Sequence, residues 1–167
     1  YQYLHLIANA GVALPTDIWY PSTQRVQPQR SDQVATGASY LLGSQYFLNF
    51  ELYYKWLDNQ LQFVDGAQIF VNDELEDEFA VGEGRAYGME FSIEKKEGRL
   101  TGWIGYTLAL TRLQNFETLD PNGRFAQESE GFGPFNPIYD RRHDISVVAL
   151  YELSKRWTAS ATFVYGS

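Results

Sequence analysis

From Tyr46 to Trp56 every second residue is large and apolar: Tyr46, Leu48, Phe50, Leu52, Tyr54 and Trp56. Between them stand Asn49, Glu51 and Lys55, together with Phe47 and Tyr53. Successive side chains of an extended chain point to opposite faces, so the segment reads as a strand with one greasy face and one mixed polar face. A helix template fits it less well. The period recurs: Tyr87, Met89, Phe91 and Ile93 oppose Gly88, Glu90, Ser92 and Glu94, and Leu100, Ile104, Tyr106, Leu108 and Leu110 oppose Thr101, Trp103, Thr107, Ala109 and Thr111. It is weaker through Ile145, Val147, Ala149 and Tyr151, and through Trp157, Ala159, Ala161, Phe163 and Tyr165. Seven strands are predicted, at roughly 1–8, 33–42, 45–57, 85–95, 99–112, 141–153 and 156–165.

The connections alternate in length. Gly43-Ser44, Lys96-Glu97-Gly98 and Ser154-Lys155 are tight, whereas 9–32, 58–84 and 113–140 are long. A soluble sandwich has no reason to collect its long loops at one end, but an outer-membrane barrel has short periplasmic turns and long extracellular loops. Charge divides the same way: the three long connections hold fifteen of the 21 acids and three of the 13 bases. The middle one carries Asp58, Asp65, Asp73, Glu74, Glu76, Asp77, Glu78 and Glu83 with no Lys or Arg, while Lys95, Lys96, Arg99, Lys155 and Arg156 gather at tight turns, where they suit an anionic leaflet surface. About 11 residues rising about 3.3 Å each, tilted about 40°, project to roughly 28 Å, close to the apolar band of about 25 Å that such barrels present.

Composition removes other classes. The longest unbroken apolar run is Val147 to Tyr151, far below the length of about 20 residues that a transmembrane helix needs. The mean hydropathy of −0.35 does not separate a soluble chain from a transmembrane barrel, whose strands alternate. With no Cys, and with His5 and His143 the sole histidines, there is little material for disulfides, a zinc site or a His-dependent catalytic centre. No cofactor is expected. A net charge of −8 argues against a nucleic-acid surface. The start, Tyr1 to Ile7, lacks the charged region of a targeting signal and already alternates like a strand, so the chain reads as a piece of something longer.

Three stretches carry a family likeness: Leu14-Pro15-Thr16-Asp17-Ile18-Trp19 leading to Pro28-Gln29-Arg30-Ser31-Asp32-Gln33; Gly84-Arg85-Ala86-Tyr87-Gly88-Met89-Glu90 with Leu100-Thr101-Gly102-Trp103-Ile104-Gly105-Tyr106-Thr107; and Tyr139-Asp140-Arg141-Arg142-His143-Asp144. Together they resemble the C-terminal barrel half of TonB-dependent outer-membrane receptors of the kind common in Bacteroidetes. The resemblance implies an all-β fold, an antiparallel up-and-down meander of about seven strands forming part of a large transmembrane β-barrel. Residues 1–167 would then be one partial outer-membrane barrel domain. Such receptors close with about 22 strands, so this is about a third of the wall. The implied location is the bacterial outer membrane and the implied role is import of a scarce nutrient, with no chemistry done on it. The implied partners are the rest of the same barrel and its plug, the TonB complex acting through an N-terminal part that this chain does not contain, outer-membrane lipid, and a surface lipoprotein. The ligand class is open among siderophore, oligosaccharide, peptide and cobalamin.

On this reading Tyr46, Leu48, Phe50, Leu52, Tyr54 and Trp56 face lipid, while Asn49, Glu51, Lys55, Glu90, Glu94, Arg142 and Asp144 face the lumen and serve salt bridges across strands or to the plug. Glu90 and Glu94 stand too far apart along a strand for shared proton chemistry. His143 and Asp144 differ in parity, which argues against a catalytic dyad. The acidic stretch 58–84 lacks the fixed spacing of a Ca²⁺ loop and reads as solvated, although Leu61, Phe63, Ile69, Phe70, Val71 and Phe79 make it apolar enough to fold over a barrel mouth. Aromatic residues near strand ends, including Tyr46, Trp56, Tyr87, Tyr106, Tyr151, Trp157 and Tyr165, fit either an interfacial girdle or ordinary strand propensity. Trp19, Tyr20, Phe125, Phe132, Phe135 and Tyr139 lie in the long connections, where they either stack on a ligand or staple the loops together. The rival class is a soluble β-sandwich or adhesin-like module that binds carbohydrate or protein. An enzyme barrel would need a nucleophile and base that the sequence does not offer.

Overall fold

The computed structural model of the chain describes residues 4–7, 18–64, 67, 74–120, 133–137 and 139–167. Eight strands run through them: β1 (Leu4–Ile7), β2 (Ile18–Pro21), β3 (Arg30–Leu42), β4 (Tyr46–Phe63), β5 (Phe79–Lys95), β6 (Leu100–Thr118), β7 (His143–Ser154) and β8 (Trp157–Gly166). A single 3₁₀ turn, Leu75–Glu78, precedes β5. The fold is all-β, and β3 to β8 form one antiparallel meander in sequence order, with β3 and β8 at its edges. Left-handed glycines make the tight turns possible: Gly43 closes β3 onto β4 at φ 64°, and Gly98 closes β5 onto β6 at φ 99°.

Two expectations need correction. The predicted first strand does not join the meander, because Leu4–Ile7 pairs with β2, from Leu4 opposite Pro21 to Ile7 opposite Ile18. Six strands therefore form the sheet. The long connections are also shorter than predicted, because β3 starts at Arg30, β4 continues to Phe63, β5 starts at Phe79 and β6 continues to Thr118. The reason is local: Asn59 and Asn115 adopt left-handed φ of 53° and 55°. Asparagine tolerates that conformation within a strand, and it breaks the period-2 signal without ending the strand. Leu113 and Phe116, three apart, accordingly enter the same buried cluster, which strict alternation forbids.

The chain divides into two units. Unit 1 comprises 1–32, 55–85 and 111–138, and it holds the buried core. One cluster gathers Val64, Ala67, Ala80, Leu113 and Phe116, with Leu57, Phe63 and Phe135 against it. A second joins Val26 and Phe79, with Tyr20, Leu61, Leu75 and Leu119 packed around them. Gly82 makes the first cluster possible, since a Cβ there would stand 2.6 Å from the Phe116 ring.

Unit 2 comprises 33–54, 86–110 and 139–167. Its segments of the six strands are nine to twelve residues long, and among its described residues none is buried. Leu100 pairs with Tyr151, Ile104 with Val147, and Val147 in turn with Phe163. Tyr54 stacks on Tyr87 with ring centroids 6.0 Å apart, and the Lys95 amine lies 5.5 Å from the Tyr46 ring centroid. Leu52, Met89, Leu108 and Leu110 line one apolar depression. On the other face Ser39 donates to Asn49 at 2.7 Å. From β6 to β8 the register thus carries the row of Leu100, Ile104, Val147, Tyr151 and Phe163 onto one face, and Trp103 with Val148 onto the other.

Candidate functional site

Tyr46, Leu48, Phe50, Leu52, Tyr54 and Trp56 share that apolar face, joined by Tyr87, Met89, Phe91 and Ile93 and by the rows of β6, β7 and β8. Asn49, Glu51 and Lys55 share the opposite face with Ser39, and β5 places Glu90 and Glu94 there because Gly88 directs the position of its missing Cβ at the Tyr53 hydroxyl, 2.7 Å away. Asp144 lies on the same side of β7, opposite Thr107 and Gly166, and accepts from the Ser146 hydroxyl at 3.4 Å. Arg142 stands just before β7, where its carbonyl accepts the Ala109 N–H at 3.1 Å and its own N–H donates to the Ser167 carbonyl at 2.7 Å. Arg141 and Asp144 both reach within 4 Å of the place a Cβ on Gly166 would occupy.

His143 does not meet Asp144. Its Nδ1 is 2.8 Å from the Tyr106 hydroxyl and the two rings stack at 6.1 Å, both on the apolar face. A tyrosine–histidine pair is a way to satisfy two polar tips at the margin of an apolar surface. Among the described residues no group of three His, Cys, Asp or Glu side chains could hold a metal ion.

The loop aromatics separate. Tyr20 and Phe135 staple unit 1: Tyr20 meets Phe79 edge-on at 5.0 Å, and Phe135 packs on Phe116 at 5.7 Å while its backbone exchanges two hydrogen bonds of 2.9 Å with Leu113. Trp19 in unit 1 and Tyr139 in unit 2 are exposed and stay available to a ligand. Phe125 and Phe132 lie outside the described residues, as do Ile69, Phe70 and Val71.

The polar centre of unit 1 escaped the sequence reading. Arg25 donates to Asp77 Oδ1 at 2.6 Å and to the Leu119 carbonyl, and it stands 3.5 Å from Glu76. Thr23 and Tyr20 both donate to Glu76 Oε1, at 2.6 and 3.2 Å. The Thr23 hydroxyl also accepts the Val26 N–H at 3.0 Å, which fixes the turn that aims Arg25. The hydrogen bond to Asp77 raises the Arg25 pKa above its usual value, against the smaller opposing effect of burial. Burial, and then Glu76, raise the Tyr20 phenol above its usual value of 10.0.

The reading of 58–84 as one solvated acidic loop is therefore corrected. Asp77 and Glu78 are buried, and Asp58 and Glu83 stand in strands. The available signal was the absence of any base in that stretch. An acidic segment that folds must borrow a cation from elsewhere, and the long connections offer three, of which Arg30 pairs with Asp32 at 2.7 Å.

No protein-family model, curated protein or solved structure matches the chain.

Proposed function

We propose that this chain is a wall segment of a TonB-dependent outer-membrane transporter, with unit 2 crossing the bilayer and unit 1 holding surface connections. One observation carries the reading. Unit 2 is a single-layer sheet that gathers its main apolar rows on one face and Asn49, Glu51, Glu90 and Asp144 on a mixed face opposite, and none of its described residues is buried. A sheet in water hides its apolar face against a second layer, whereas a barrel wall leaves it to lipid. Segments of nine to twelve residues match the nine to eleven that a tilted transmembrane strand needs. The edges β3 and β8 offer unpaired backbone groups to further strands, and closure alone removes such edges. Assignment to the TonB-dependent class rests on the sequence resemblance. The substrate would be a scarce nutrient that passes unchanged.

The test is production of the 167-residue chain without detergent, followed by light scattering and amide exchange. Aggregation in water that detergent relieves is the expected result. A monodisperse soluble monomer with protected β3 and β8 amides would overturn the reading in favour of a sandwich, since only a second layer could cover that face.

A further inference from the structure

The turn between β5 and β6 places cations where an apolar face ends. Lys95 continues the row of Tyr87, Met89, Phe91 and Ile93, so a charged side chain stands in line with apolar ones. Its amine is 5.5 Å from the Tyr46 ring centroid and 3.6 Å from where a Cβ on Gly98 would lie, so it reaches toward the turn. Arg99 lies with its guanidinium carbon 5.4 Å from the centroid of the Tyr151 ring, which belongs to the same face because Tyr151 pairs with Leu100. Arg99 Nε and Nη2 donate to the carbonyls of Glu152 and Leu153 at 3.1 to 3.3 Å, so it is anchored by neutral acceptors and keeps its charge.

The nearby carboxylates do not cancel these cations. Glu94 is engaged by Lys96 at 3.3 Å, and alternation sends both Glu94 and Glu152 to the opposite face. Glu97 stands in the turn itself, and Lys155 and Arg156 add positive charge at the neighbouring turn. Beside Lys95 an apolar groove runs over Gly102, lined by Tyr46, Ile93, Leu100, Ile104 and Val147, and Arg99 adjoins it through Leu100. Gly102 has φ 143°, and a Cβ there would collide with the Val148 carbonyl of β7, so only glycine fits at this point of the groove's floor.

We propose that this end of the apolar face is a binding site for an anionic phospholipid, with Lys95 and Arg99 on the phosphate and one acyl chain in the groove over Gly102. Charge complementarity selects that occupant. Two cations at the edge of an apolar surface, each lying against an aromatic ring, suit an interface that pairs a negative headgroup with hydrocarbon. Lys95 sits on β5 and Tyr151 on β7, about 10 Å apart at two strand spacings, a gap that long flexible side chains close onto one phosphate. The proposal rests on the membrane reading of unit 2 and adds the headgroup chemistry and its residues.

The experiment is native mass spectrometry of the detergent-solubilised full chain titrated with phosphatidylglycerol or phosphatidylcholine, in wild type and in Lys95→Gln/Arg99→Gln. Each cation near a charged headgroup is worth roughly a fivefold preference, so the double variant should lose about 25-fold in selectivity for phosphatidylglycerol. Lys95→Arg/Arg99→Lys should keep most of it, and Lys96→Gln, which removes a charge from the same turn on the other face, should keep it all. Equal uptake of the two lipids by wild type, an unchanged double variant, or displacement of phosphatidylglycerol by millimolar inorganic phosphate would overturn the site while leaving the barrel intact. A chain that is monodisperse in water and takes up neither lipid would overturn the barrel reading and the site together.

Discussion

Arg25→Met should loosen unit 1 and leave unit 2 unchanged. The substitution keeps much of the aliphatic stem but removes the donors to Asp77, Glu76 and the Leu119 carbonyl. Breaking a fully buried ion pair costs about 3–5 kcal/mol, because the remaining charge stays in a poor solvent. Here the Asp77 side chain is 2% exposed but that of Arg25 is 43% exposed, so water replaces part of what Met cannot supply. A charge-assisted hydrogen bond of this kind is worth about 1.5–3 kcal/mol, and about 2 kcal/mol is the expected loss. That converts to roughly 30-fold faster exchange at amides whose protection needs unit 1 closed. The amides to follow are Val64, which donates to the Glu78 carbonyl at 3.0 Å, and Leu119, which donates to the Phe79 carbonyl at 2.9 Å. Amides of β7 and β8 serve as the internal control. Arg25→Lys, which retains the charge without the planar fork, should lose less. Unchanged exchange at Val64 and Leu119, or equal acceleration in β7, would refute the reasoning.

Three further outcomes follow from the same geometry. Phe116→Ala empties a site 1% exposed and should cost about 3–5 kcal/mol in the stability of unit 1, read by denaturant titration of unit 1 amide protection. Tyr20 has its phenol raised by burial and by Glu76, so its contribution is present below the unfolded value near pH 10 and is lost as pH rises through the higher folded value. Wild-type unit 1 should therefore weaken more steeply above about pH 10 than Tyr20→Phe, and parallel pH profiles would show that the phenol contributes nothing. Leu52→Arg should cost about 2–4 kcal/mol in lipid-vesicle refolding against about 0–1 for Tyr46→Arg, with equal losses placing the strand wrongly in depth.

The meander was legible because its signal is local. In unit 2 the strands carry their own alternation and each tight turn its own Gly or polar pair, so the pattern agrees with the strand order from β3 to β8 and with the register from β6 to β8. Unit 1 was not legible in this way. Its core joins Val26 to Phe79 and Leu113 to Phe135, and its ion pair spans 52 residues from Arg25 to Asp77, so no window of sequence contains both partners. The left-handed Asn59 and Asn115 hid the strand extensions by breaking the period that identifies strands. Tyr20 and Phe135 show the same limit at the level of single residues. An aromatic residue in a polar connection reads alike whether it awaits a ligand or closes on a core, and only the position of Phe79 and Phe116 decides which.

The central claim is that the apolar face of unit 2 meets hydrocarbon, and adjacent residues on β4 test it most directly. Spin labels at Leu52 and Glu51, one at a time in the full chain reconstituted in lipid, would be compared for collision with oxygen, which concentrates in the bilayer, and with a water-soluble nickel chelate. Leu52 should be high for oxygen and low for the chelate, and Glu51 the reverse, because one step along a strand exchanges the faces. Equal accessibilities at the two positions, or the chelate reaching Leu52 freely, would contradict it.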